Sequence, residues 1–228
     1  MMGCFTMFTS VLLYTNKLKE LRRFYMNVLE LEATDIKEES FSIDIGSTKL
    51  TFTSKDEPYF YHFAINVPGN QFSMLKYRLK ERVSLNRDGG RDEIYFSSFD
   101  ADSMYFEDPA GNIIELIGRR NKDLFGSPSF SESFLNMSEV GIVSEHVEEL
   151  SEEFQDIGLP LRGASLQKDS VNFFGRDEAF IVLVRPGRKW YFSNQISAIF
   201  PLEMTLSTGK KIIIDSQGHA QVKKDDKK

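Results

Sequence analysis

Cysteine is almost missing from this chain: Cys4 is the only one in 228 residues, so no internal disulfide and no cluster of thiolate ligands can form. A reducing, cytoplasmic setting is the expectation. Positive charge is not in excess, with 28 Lys and Arg against 34 Asp and Glu and a net charge of −6. A phosphate backbone needs the opposite balance, which argues against a nucleic-acid partner. No apolar run is long enough to span a bilayer, and Met1 to Ser10 lacks the basic region and apolar stretch of a secretion signal, so no membrane partner is expected. The GxSxG, P-loop, HExxH and dinucleotide-binding patterns are absent too, leaving nucleophilic and nucleotide-dependent chemistry without support.

What is present is a core and a repeat. Hydrophobic residues make up 41% of the chain, and most of the 20 phenylalanines and 8 tyrosines fall at strand or helix core positions. Phe8 to Thr15 alternates as a strand, with Ser10, Leu12 and Tyr14 on one face. Asn16 is placed to cap a helix whose stripe is Leu18, Leu21, Phe24, Tyr25, Val28 and Leu29. Phe41 to Ile45 and Lys49 to Thr53 follow as a hairpin turning at Gly46 and Ser47. The pattern restarts at Tyr61: a strand to Val67, a helix with Phe72, Leu75 and Leu79 on one stripe, a turn at Gly89-Gly90, and strands at Ile94 to Ser98, Ser103 to Glu107 and Asn112 to Gly118. Residues 121–135 read as a linker. A weaker third repeat spans residues 136–221, with strands at Glu139 to Ser144, Ser170 to Phe174 and Ala179 to Arg185, a helix at Val147 to Phe154 and a closing hairpin around Thr208 and Gly209. Residues 222–228 read as a solvated, charged tail.

Two stretches resemble the vicinal oxygen chelate superfamily, which includes glyoxalase I, extradiol dioxygenases and bleomycin resistance proteins. They are Phe24-Tyr25 with Leu29-Glu30-Leu31, and the run from Asp108 to Leu116, Asp-Pro-Ala-Gly-Asn-Ile-Ile-Glu-Leu. The resemblance implies an α+β fold of repeated βαβββ modules. Two of them, within residues 1–120, would form an incomplete barrel around a pocket, with a third partial module behind. It also implies ligand positions for a divalent metal: His62 opens the first strand of module two and Glu115 lies on its last strand. Ser10 stands where the first strand of module one usually carries His or Gln, and Lys49 or Thr51 where some members carry Glu. These residues and Tyr14, on the same face as Ser10, are the expected pocket lining.

That ligand set is short. Zinc sites ordinarily use three or four protein ligands, and a facial-triad iron site needs two histidines and a carboxylate. A serine hydroxyl is a poor substitute, and an inward Lys49 ammonium would pair with Glu115 where an ion belongs. Each candidate has a plainer reading. His62 suits a hydrogen-bonded strand histidine, and His146 and His219 suit the surface. Glu139, at the first-strand position of the third repeat, suits a surface carboxylate. Two functions remain open. One is a binding module holding a small molecule in the cavity over a degenerate metal site, without cofactor. The other is a lyase, isomerase or ring-cleaving dioxygenase that depends on one divalent ion held by His62 and Glu115. An unpartnered third module also leaves sheet edges that a homodimer would cover.

Overall fold

Strands and helices follow the alternation of apolar residues closely. The computed structural model describes residues 7–126 and 128–224, so Cys4 and residues 225–228 lie outside the described part. The first module is β1 (Phe8–Thr15), α1 (Leu18–Asn27), β2 (Ser40–Ile45) and β3 (Thr48–Ser54). Along β1, Phe8, Val11 and Leu13 are buried while Ser10, Leu12 and Tyr14 stay half-buried on the opposite face. Helix α1 is preceded by Lys17 rather than the expected Asn16, because the Thr15 hydroxyl accepts the Lys17 N–H at 3.0 Å and fixes the turn there.

The second module is β4 (His62–Pro68), α2 (Phe72–Lys80), β5 (Ile94–Phe96), β6 (Ala101–Glu107) and β7 (Ile113–Arg119). The third supplies β8 (Asn136–Val143), α3 (Val147–Asp156), β9 (Asn172–Arg176) and β10 (Ala179–Val184). The chain closes with β11 (Leu202–Leu206), β12 (Lys210–Ile214) and β13 (Ala220–Lys224). Val222 to Lys224 therefore belong to a strand and not to a solvated tail: Val222 pairs with Ile212, and Ala220 and Val222 pack against the core while the lysines face out. Of the linker, Phe130 and Phe134 are fully buried and stack edge to face, so it is anchored at its end.

These strands form two sheets, ordered β13-β12-β11-β1-β3-β2 and β5-β6-β7-β4-β8-β10-β9. The fold is the expected α+β arrangement of βαβββ modules, but the partners differ from expectation. Module two joins module three across an antiparallel β4–β8 pair, whereas module one joins the last three strands across β1–β11. Burial explains the choice. β4 and β8 are buried at every position and so need cover on both faces and both edges, while β1 keeps one face half-open. On β4, Phe63, Ile65 and Val67 turn to the main core, and His62 and Ala64 turn to the other face.

Candidate metal centre

β4 sits between β7, its parallel neighbour, and β8, its antiparallel one, and the register puts Ala64 opposite both Glu115 and Glu139. Two carboxylates thus flank the smallest chiral side chain, with His62 two residues away on the same face. The ligand-type atoms of His62, Glu115 and Glu139 all lie within 4.8 Å of one another. His62 Nε2 is 3.7 Å from Glu115 Oε2 and 3.9 Å from Glu139 Oε2. None of the three residues is more than 7% exposed.

The tautomer of His62 follows from its other nitrogen. Nδ1 lies 3.2 Å from the carbonyl of Ile113, which can only accept, so the ring proton sits on Nδ1 and the Nε2 lone pair faces the carboxylates. Burial pushes the imidazole down to about 4, which keeps it neutral at physiological pH. Burial raises Glu115 to about 7, against the pull of the Ser103 and Tyr105 hydroxyls and the Arg119 guanidinium. Glu139 is driven well above the carboxylate range by burial and then by the charge of Glu115. Three acceptor atoms converge without a donor between them, and such a cluster requires protons or a cation. One imidazole and two carboxylates fit a divalent ion of hard to borderline character. Ion–ligand bonds of ~2.0–2.2 Å would draw these atoms together rather than push them apart.

The triad lines a small, partly open cavity of about 80 Å³, walled by Phe96, Phe99, Phe173, Trp190, Tyr191 and Arg119, among others. This is far below the ~300 Å³ of ordinary ligand pockets. Its roof is an irregular loop between β10 and β11. The loop's neck is pinned at Ser197, whose N–H donates to the Arg188 carbonyl and whose hydroxyl donates to the Arg185 carbonyl. Trp190 lies over His62 with ring centroids 4.8 Å apart, in space left by Gly141, where a Cβ would come within 3.2 Å of the indole. Phe192, at φ +51°, stacks on Tyr105 at 4.9 Å, and the adjacent Ser193 hydroxyl donates to Glu107 at 2.7 Å. Outside the roof lies a larger groove of about 710 Å³ that shares Arg188, Trp190 and Tyr191 with the cavity.

Of the residues expected to line this site, His62 and Glu115 meet and the others do not join them. Lys49 does not pair with Glu115; it is half-exposed and bridges Asp35 at 2.8 Å. Thr51 exchanges a hydrogen bond with Ser42 at 2.8 Å, Tyr14 donates to Glu203 at 3.4 Å, and Ser10 pairs with Lys49 and Thr205 in the register of β1, all on the other sheet. The reason is the exchange of sheet partners: the strand beside β4 is β8, not β1. Glu139, expected at the surface, is the third member of the triad. A signal for it was present, since Glu139 is a lone carboxylate in a strand whose other residues, Met137 to Val143, carry no charge. His146 and His219 stand apart from the triad. Their rings stack on each other at 4.1 Å, and each is partly exposed beside a carboxylate.

Comparison with known proteins agrees with this architecture. The profile of the family described as Toxoflavin-degrading enzyme matches residues 137–188, the stretch that carries Glu139, α3, β10 and the start of the roof. A search of curated protein sequences found no match. A glyoxalase I variant from Zea mays superposes with a TM-score of 0.59 at 13% identity, over 95% of this chain and 91% of that one. A putative dioxygenase from Bacillus subtilis superposes with a TM-score of 0.57 at 17% identity, over 79% of this chain and 64% of that one. The chain thus spans a little under two thirds of the length of that dioxygenase. It has the fold of the vicinal oxygen chelate superfamily.

Proposed function

We propose that the chain is a divalent-metal-dependent enzyme acting on a small molecule in the cavity roofed by Trp190 and Tyr191, with His62, Glu115 and Glu139 as metal ligands. Glu139 carries the reading: it turns an incomplete pair into three convergent donors on rigid strands. An ion held there would supply Lewis-acid polarisation of substrate oxygens. The protein's own part is to present the donors and exclude water. Ile113 keeps the Nε2 lone pair of His62 free, burial holds the imidazole neutral, and Trp190 seals the site from solvent. A carboxyl raised to about 7, like that of Glu115, gives up its proton when it ligates an ion, so binding is coupled to proton release. The aromatic walls suit a flat substrate. The name of the family matched over residues 137–188 is that of an enzyme that degrades toxoflavin, in keeping with an enzyme reading. A substrate larger than this cavity enters by displacing Trp190 and Tyr191, which joins cavity and outer groove.

The test is elemental analysis of untagged protein after incubation with manganese, ferrous iron and zinc in turn. About one ion per chain in the parent and none in Glu139→Gln is the expected result. A parent that retains no metal would leave a metal-free binding module, and an ion retained equally by Glu139→Gln would put the site elsewhere.

A further inference from the structure

Arg119 ends β7, four residues and about 13 Å of strand beyond Glu115, on the same face of the sheet with Ile117 between them. It is 5% exposed and lines the cavity. Its Nη2 donates only to neutral acceptors, the Ser138 hydroxyl at 3.0 Å and the Glu178 carbonyl at 3.3 Å. Its Nε has no hydrogen-bond partner. Among the described residues no carboxylate reaches it within 4.0 Å: Glu178 is taken by Lys122 at 2.7 Å. A buried guanidinium lacking an ion-pair partner is costly and keeps its place when something else answers its charge. In the metal-free protein only distant acids, Glu178 among them, lie in range to answer its charge. A divalent ion would cancel the Glu115 and Glu139 carboxylates, and with His62 neutral the loaded cavity would then hold one buried uncompensated positive charge, that of Arg119, with the half-buried Arg188 at its rim.

From this charge count and the unpartnered Nε, we infer that Arg119 is a substrate-recognising residue and that the cavity takes a planar aromatic monoanion, with an anionic oxygen on Arg119 and the opposite edge towards the triad. The inference rests on the metal-dependent reading and names its substrate class. One or two fused rings match the span between the two polar ends once Trp190 and Tyr191 are displaced, and Phe96, Phe99 and Phe173 supply apolar walls. Arg suits the role because its fork can keep Nη2 on Ser138 while Nε serves a ligand.

The experiment compares 2-naphthoate with its neutral isostere 2-naphthamide on manganese-loaded protein by calorimetry, with the metal content of every sample measured. The parent should bind the anion at least about tenfold more tightly, the factor that one charge-assisted hydrogen bond of ~1.5–3 kcal/mol confers. Arg119→Gln should erase that preference with manganese content unchanged, and Arg119→Lys should keep part of it. Equal affinity for the two probes in the parent, or a preference that survives in Arg119→Gln because the carboxylate sits on the metal, overturns the inference. If Arg119→Gln does not fold, the parent comparison and Arg119→Lys decide. A parent without manganese defeats the metal reading by itself. The same comparison on that metal-free protein then decides Arg119: a preference that its substitution removes upholds the recognition role, and no preference overturns it.

Discussion

The two sheets of this molecule are built to one plan and carry opposite chemistry. In each, a module's first strand lies between a parallel partner from its own module and an antiparallel partner from later in the chain. Around β4 the register aligns Glu115, Ala64 and Glu139 across three strands, with His62 two residues before Ala64. Around β1 the same row reads Thr51, Leu12 and Glu203, with Ser10 two residues before Leu12. One acid survives in that second row, and it is committed elsewhere: Glu203 bridges Lys211 and accepts from Tyr14. Leu12 fills the space that Ala64 leaves open. A metal site here therefore depends on a small residue at the centre of the row as much as on its ligands, and on strands whose faces are buried enough to free the acids of competing cations.

Substitutions that erase the difference should have the largest effects. Glu115→Gln or His62→Ala should lower metal affinity by more than ~100-fold in competition with a chelator, since even outer partners of metal ligands are worth ~10–100-fold. Ala64→Leu, which copies Leu12 into the active row, should abolish metal binding and destabilise the protein by ~1–3 kcal/mol through overpacking, read from denaturant melts. The pH dependence is next in size. Because burial raises Glu115 from about 4.5 to about 7, its contribution to metal-free stability is complete below about pH 4.5 and lost as pH rises through about 7. His62, depressed from 6.5 to about 4, acts the other way: its contribution is present above 6.5 and lost as pH falls through about 4. Ligation replaces the carboxyl protons, so the rise in melting temperature on adding manganese should grow from about pH 5 to about pH 8; a rise that shrinks over that interval would contradict the triad. Gly141→Ala, crowding the Trp190 indole, should shift the emission of the chain's one tryptophan and lower stability modestly. Smallest of all, Glu203→Gln on the silent sheet should cost under ~1 kcal/mol and leave metal content unchanged.

The local pattern of apolar residues made most strands and all three helices legible, and the stripe Phe72, Leu75 and Leu79 is the buried face of α2. The run Asp108 to Leu116 marked the fold and one member of the triad. Asp108 is the turn's hub, buried and accepting from Asn112 and Tyr25, and burial raises it to about 6. Strand partners were not legible, because which module faces which is decided by long-range burial and not by any property of one segment. That single unknown misplaced Ser10, Tyr14, Lys49 and Thr51 and sent Glu139 to the surface. β13 was missed because its adjacent Lys223 and Lys224 run on into further charged residues and look like a tail until Ala220 and Val222 are seen against the core.

The order of strands also sets the order in which the chain can assemble. Everything that forms the triad, its roof and Arg119 lies between His62 and Ser197, and its sheet is contiguous in sequence. The other sheet is split: Phe8 waits for Leu206, so its central pairing closes the longest loop in the molecule. Long-range pairings of this kind form late and slow the overall rate. On a ribosome the half that carries the triad can be complete while the first module still lacks the strands that seal its edge.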